Sequence, residues 1–283
     1  MAESSPSQKQ ATSKPDFATI GGLVLAIGGI LAGLLMEGGK LQDVAQFTSA
    51  LIVLGGTLGA VMVTTPLPVL LRAAQQLSSV VIGRAEPIDS RVEEIIEYAT
   101  IARKNGIVSL EQHAAISSDP FLKKALELAV DGIDSDRIRD IMELEIEVFE
   151  HHAEAEAKVF EAAGGYAPTI GIIGAVLGLI QVMKNLANID EVGRGIAVAF
   201  VATIYGVAMA NIVFLPVAAK LKARAKEAVQ AKELMLQGVL SIAEGLNQKL
   251  IRIKLEAYSH GTAASRTSKP QEGAAGEPAS AAS

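Results

Sequence analysis

The 283-residue chain contains no cysteine and no tryptophan. The missing cysteine excludes a disulfide framework, a thiol nucleophile and a cysteine metal site. Charge is also scarce. Asp, Glu, Lys and Arg make up 20% of the residues, against about 25% in an ordinary soluble domain. The net charge is −6, so nothing draws the chain as a whole to a phosphate backbone, and nucleic acid is not an expected partner. The sequence has no P-loop, no dinucleotide glycine fingerprint and no zinc-protease helix motif. His151 and His152 are neighbours, whereas two ligands on one helix face need a separation of three or four. No cofactor, no metal and no enzyme activity is therefore expected.

What the chain has instead is apolar residues, 50% of the total. They are gathered into four runs without Asp, Glu, Lys, Arg or His, at residues 17–36, 44–71, 162–183 and 195–219. A bilayer core is crossed by about 20 apolar residues of helix, and each run is that long. Short polar turns at 37–43 and 184–194 join the runs in pairs. The expected fold is an all-α integral membrane protein, with four transmembrane helices in two hairpins and a helical cytoplasmic domain. Its expected parts are a disordered N-terminus (1–15), a first hairpin (16–72), the cytoplasmic domain (73–161), a second hairpin (162–219), a cytoplasmic helix (220–258) and a disordered tail (259–283). Ten Lys and Arg residues flank the spans on the side of the termini and three lie in the short turns. The positive-inside rule then puts both termini and the middle segment in the cytoplasm.

Between the hairpins, residues 73–161 hold 19 acidic and 9 basic side chains. Capping-box patterns at Ser90/Glu93 and Ser109/Gln112 predict helix starts. Asp119-Pro120 predicts another, running to Gly132. A long helix is expected from about Ser135 into the third span. The basic stretch 220–258 is expected to continue the fourth helix and to pack on the acidic segment.

Within the spans, Gly29/Gly33, Gly55/Gly59 and Gly174/Gly178 lie four apart on one helix face, a pattern that permits close helix approach within one chain or between subunits. Pro168 and Pro216 each remove a backbone donor, and the carbonyls of Gly164 and Ile212 lose their usual partners. The two prolines are candidate hinges. The uncharged spans carry no proton relay of their own. If ions pass, another chain must supply the carboxylate, and this chain offers only polar lining such as Thr169, Gln181, Thr203, Tyr205 and Asn211.

Four spans, a large cytoplasmic loop, "MEGGKL" at the first turn, "ARKNGIVSLE" in the loop, "GGYAPTIGIIGAVLGLI" and "GIAVAFVATIYGVAMANIVFLPVAAKL" resemble the MotA family of flagellar motor stator subunits, within the MotA/TolQ/ExbB superfamily. The likeness covers about residues 17–255. It implies a ring of five such chains in the bacterial inner membrane, around MotB chains that bring the membrane aspartate and a peptidoglycan anchor. It also implies that Arg103 and Glu111 act on the rotor protein FliG, and that Pro168 and Pro216 are the family's two prolines. Ala175 and Thr203 match the positions that carry threonines in sodium-driven relatives. With one hydroxyl of two present, protons are the expected ion. The competing readings are a TolQ/ExbB-type energiser of outer-membrane processes and a non-conducting membrane scaffold.

Overall fold

The protein, examined as a computed structural model, is described at residues 14–83 and 88–264. The expected disordered ends lie mostly outside these residues. Helix dominates: α1 (Phe17–Met36), α2 (Leu41–Val44), α3 (Phe47–Ala50), α4 (Gly56–Thr64), α5 (Leu67–Val81), α6 (Ile88–Asn105), α7 (Glu111–Ile116), α8 (Pro120–Val130), α9 (Ser135–Lys184), α10 (Ile189–Ala208), α11 (Leu215–Ala243) and α12 (Gln248–Ala264). Extended pairing among the described residues is limited to β1 (Lys14–Pro15) against β2 (Ile82–Gly83), antiparallel. The sequence shows no strand signal for this two-residue pair. Among the described residues, four helical stretches are long and apolar enough to cross a membrane, within Phe17–Met36, Leu41–Thr64, Ser135–Lys184 and Ile189–Ala243.

The chain forms two compact units. One comprises Met1–Glu86 with Glu145–Val229, the other Pro87–Leu144 with Gln230–Ser283. In the first unit, α1 is capped by Asp16, whose carboxylate accepts from Thr19 N at 3.2 Å. Gly38, at φ +83°, opens the turn after it, a backbone conformation that glycine adopts without a Cβ clash. None of the residues of α1 is buried.

The second apolar run departs from the single span expected at 44–71. Ala45 sits in an inverse γ-turn (φ −88°, ψ 81°), closed by Gln46 N on Val44 O at 3.2 Å. A π turn, Leu51–Gly55, follows α3. The span then ends at Thr64, because Thr65 is extended (φ −126°, ψ 130°) ahead of Pro66, as the ring of a following proline demands. The last part of the run starts a separate helix, α5.

In the second unit, α6, α8 and the last turns of α11 supply the core. Val92, Ile95, Tyr98 and Ala99 of α6 are buried, with Phe121, Leu122 and Leu126 of α8 and Leu234, Leu236 and Leu240 of α11. Each large side chain so buried contributes about 1.5–3 kcal/mol. Gly238 lets α11 approach Ile95, whose Cγ2 lies 2.6 Å from where a Cβ would be. Asp119 caps α8 as expected, accepting from Phe121 N (2.9 Å) and Leu122 N (3.3 Å), and Gly132 (φ +73°) follows its end.

Two predicted helix starts fail. Ser90 is already inside α6, which begins at Ile88. Ser109 falls in a 3₁₀ turn, Ile107–Leu110, and its hydroxyl donates to Gly106 O at 2.6 Å instead of capping. The basic tail does pack on the acidic helix, since Arg252 grips both oxygens of Glu93 at 2.6 and 2.9 Å. It is not one helix, however. Gly245 (φ +72°) breaks it between α11 and α12, and α12 continues past the expected limit at 258 to Ala264.

Candidate functional site

The membrane unit is built around the crossing of α9 and α10. Small residues line both helices there, and backbones meet where side chains would otherwise hold them apart. A Cβ on Gly171 would lie 2.9 Å from Ala202 O, and one on Gly178 would lie 2.8 Å from both Ala199 N and Gly195 O. A Cβ on Gly206 would lie 2.5 Å from Ala167 O and 3.2 Å from the Cα of Pro168. Gly174 and Gly178 thus work inside one chain. Gly29, Gly33, Gly55 and Gly59 have nothing within 4 Å of a Cβ position. The spacing rule found Gly174 and Gly178 but missed Gly171, Gly195 and Gly206, because the decisive contacts come from both helices at once.

The structure brings the surroundings of the two prolines together. Pro168 lies inside α9, and Gly164 is the residue whose carbonyl loses its donor. A Cβ on Gly164 would meet the Leu215 side chain at 2.6 Å, and Leu215 is the neighbour of Pro216. Pro216 itself is the second residue of α11, directly after a π turn, Met209–Phe214. The helix runs unbroken through this point within Ile189–Ala243, so the missing N–H of Pro216 leaves the carbonyl of Ile212, four residues earlier, without its usual donor. Around this point Val61, Ala73, Val159 and Ala163 form a buried cluster with Tyr166 and Phe214 packed on it.

Ala175 and Thr203 are both half-buried. Gly174 and Ala202, their chain neighbours, touch, with 2.8 Å between the Cβ position of Gly174 and the Cβ of Ala202. The Thr203 hydroxyl donates to Ala199 O at 3.2 Å. Two other candidate lining groups also bond their own helix: Thr169 Oγ1 to Tyr166 O (2.8 Å) and Asn211 Nδ2 to Val207 O (2.9 Å). Gln181 is exposed.

Tyr205 is different. Its hydroxyl donates to Val44 O and accepts from Gln46 N at 3.3 Å. It therefore brackets the γ-turn at Ala45 from the fourth span. Ser49 adds a second tie, donating to Val198 O at 3.3 Å. Thr57 is fully buried, and its hydroxyl has no hydrogen-bond partner.

In the other unit, Arg103 sits in the last turn of α6 and Glu111 opens α7. Gly106 (φ +83°) and the 3₁₀ turn separate them, as their spacing suggests. Both side chains are exposed. Their platform is fixed from below. Leu110 and Ala114 are buried, and the rings of Tyr98 and His113 meet edge to face at 5.9 Å. Tyr98 donates to Glu94 at 2.8 Å; burial, then this carboxylate, pushes the phenol well above its ordinary range. Arg91 joins Glu94 (2.9 Å) to Asp119 (3.3 Å). Among the described residues no group of three or more metal-ligating side chains is assembled.

The profile of the MotA/TolQ/ExbB proton channel family matches residues 113–234, and that of the motility protein A N-terminal region matches residues 20–103. The chain belongs to the MotA/TolQ/ExbB proton channel family. It is 36% identical over 247 residues to motility protein A of Bacillus subtilis (strain 168), covering 86% of this chain and 90% of that one. It is 30% identical to the chemotaxis protein PomA of Vibrio alginolyticus, covering 86% and 95%. A structure of C. jejuni MotAB superposes with a TM-score of 0.82 at 34% identity, covering 86% of this chain and 95% of that chain. The flagellar MotAB stator complex of Bacillus subtilis gives 0.80 at 34% identity, covering 89% and 100%. The proline-bearing crossing of α9 and α10 and the exposed pair Arg103 and Glu111 are thus features of a family member that follows the solved stator subunits over most of its length.

Proposed function

We propose that this chain is a stator subunit of the bacterial flagellar motor. With a MotB-type single-span partner it forms an ion channel that turns ion-motive force into torque. The observation that carries this reading is the glycine-packed crossing at Pro168, in apolar runs without Asp, Glu, Lys, Arg or His, in a chain that follows solved stator subunits at 34% identity. The partner brings the membrane aspartate and the peptidoglycan anchor. The chain itself is a multi-pass inner-membrane protein with both termini cytoplasmic, and five copies form the ring. Protons are the ion, since Ala175 leaves the Thr203 hydroxyl alone where the likeness to sodium-driven relatives would call for two. Pro168 and Pro216 form the hinge that links ion passage to movement. The match of a motility protein A profile to residues 20–103 favours the stator over a TolQ/ExbB-type energiser.

Arg103 and Glu111 act on FliG through steering and register, the properties that charge complementarity governs. As exposed groups they add little to stability, about 0–1 kcal/mol for a typical surface pair. Arg103→Glu is therefore expected to lower torque at unchanged membrane level and ring assembly, with partial recovery when a charge on the rotor is reversed. Normal torque in Arg103→Glu, Glu111→Lys and the double variant would remove these residues from the contact.

A further inference from the structure

Helix α1 buries no residue in this chain. A Cβ at Gly21, Gly22, Gly28, Gly29 or Gly33 would meet nothing within 4 Å. Packing along its length therefore does little to fix its place. What fixes it lies at its cytoplasmic end. One carboxylate oxygen of Asp16 accepts from Thr19 N and caps the helix. The other accepts from the ammonium of Lys220 and lies 3.6 Å from Nη2 of Arg224. That same guanidinium nitrogen donates to Val80 O, the carbonyl of α5, at 3.2 Å. Just before Asp16, Lys14–Pro15 pair with Ile82–Gly83. The three charged side chains are 18%, 34% and 22% exposed, so they are shielded more than an ordinary surface pair. Beneath them Val80, Ala157 and Leu221 form a buried cluster.

Lys220 is four residues beyond Pro216, one helical turn along α11. We propose that Asp16 is a positioning residue that ties the first span to the cytoplasmic continuation of the fourth, so that α1 is carried along when α11 swings at Pro216. The carboxylate does two separable things: it caps α1 and it holds the two cations. Any contribution to torque rests on the stator reading; the tie itself does not.

Two variants separate the two roles. Asparagine caps a helix as well as aspartate does but carries no charge, so Asp16→Asn keeps the cap and loses the ion pairs. Asp16→Glu keeps the charge. The chain has no cysteine, so spin labels at Ala18→Cys and Ala223→Cys report the distance between α1 and α11 in the intact complex with its partner, diluted with unlabelled subunits. A narrow distribution is expected with Asp16, a broadened one with Asp16→Asn, and a narrow one again with Asp16→Glu. In cells, Asp16→Asn should lose motility at normal membrane level, and Asp16→Glu should restore it. A distribution in Asp16→Asn as narrow as in the parent overturns the proposal, as does equal broadening in both variants. Cells that swim without the chain would remove the stator reading and leave the distance measurement as the test of the tie.

Discussion

At position 206 the backbone of the neighbouring helix leaves no room for a side chain. A methyl there would sit 2.5 Å from a backbone oxygen, and backbone cannot move aside as a side-chain tip can. Overpacking of this kind costs about 1–3 kcal/mol. Gly206→Ala is expected to lower the thermal midpoint of the purified complex and to reduce swimming. Gly29→Ala meets nothing in its own chain, so any loss it causes reports a contact with another subunit, and unchanged midpoints for both variants would show that the α9–α10 crossing has room for a methyl group. Thr57 poses the opposite case. Its buried hydroxyl is unpartnered, and such a group carries a desolvation penalty of about 1–3 kcal/mol. Thr57→Val keeps the shape and removes the penalty. It should raise the midpoint, and a lowered one would mean that the hydroxyl is occupied in the working complex.

Helix α12 is held to α6 partly by charge. Glu93 lies below its ordinary value of 4.5, first because Arg252 hydrogen-bonds its carboxylate. A carboxylate with a depressed folded pKa stabilises fully above its unfolded value, and that contribution fades as pH falls through the folded one. Pepsin cleavage within α12 should therefore rise as pH drops below 4.5, relative to a Glu93→Gln variant in which cleavage is already raised. Parallel pH profiles for the two proteins would show that Arg252 is not what holds the helix.

The same elements show what pattern alone can reveal. Asp119-Pro120, Gly106 and Gly132 are local signals, and helices begin or end at them. The run from Ser135 into the third span meets Gly164, Gly165 and Pro168, and α9 is continuous through all three. The failures share a cause. Ser90 and Ser109 have capping chemistry, but a cap forms only where the backbone leaves the helix, and Ser90 lies inside α6 while Ser109 lies inside a 3₁₀ turn. The ends of α4 and α11 were written at Thr65-Pro66 and Gly245, yet a count of apolar residues passes over them. Of the candidate site, the two prolines could be read from the sequence, while the meeting of Gly164 with Leu215 could not, since 51 residues separate them. Tyr205 looked like one polar group among several; its partners at Val44 and Gln46 exist only once the second span breaks.

At the scale of the whole molecule, the spans contain no group that could carry a proton across by itself, and torque requires a partner. The proton reading predicts that swimming persists when sodium is replaced by potassium and stops when a protonophore collapses the gradient. Dependence on sodium at constant proton-motive force would reverse it. Ala175→Thr alone is not expected to change the ion, because the partner also lines the path.

The ion pair between Asp16 and Lys220 also bears on how the protein is made. About 200 residues separate the two ends of that contact. At a synthesis rate of about 5–20 residues per second, the ribosome needs on the order of 10–40 s to produce Lys220 after Asp16. Throughout that interval the first helix exists before the ion pair at its Asp16 end can form, so its apolar surface must be at ease in lipid alone. The bond that secures the start of the first helix becomes possible only after all four apolar runs have been made.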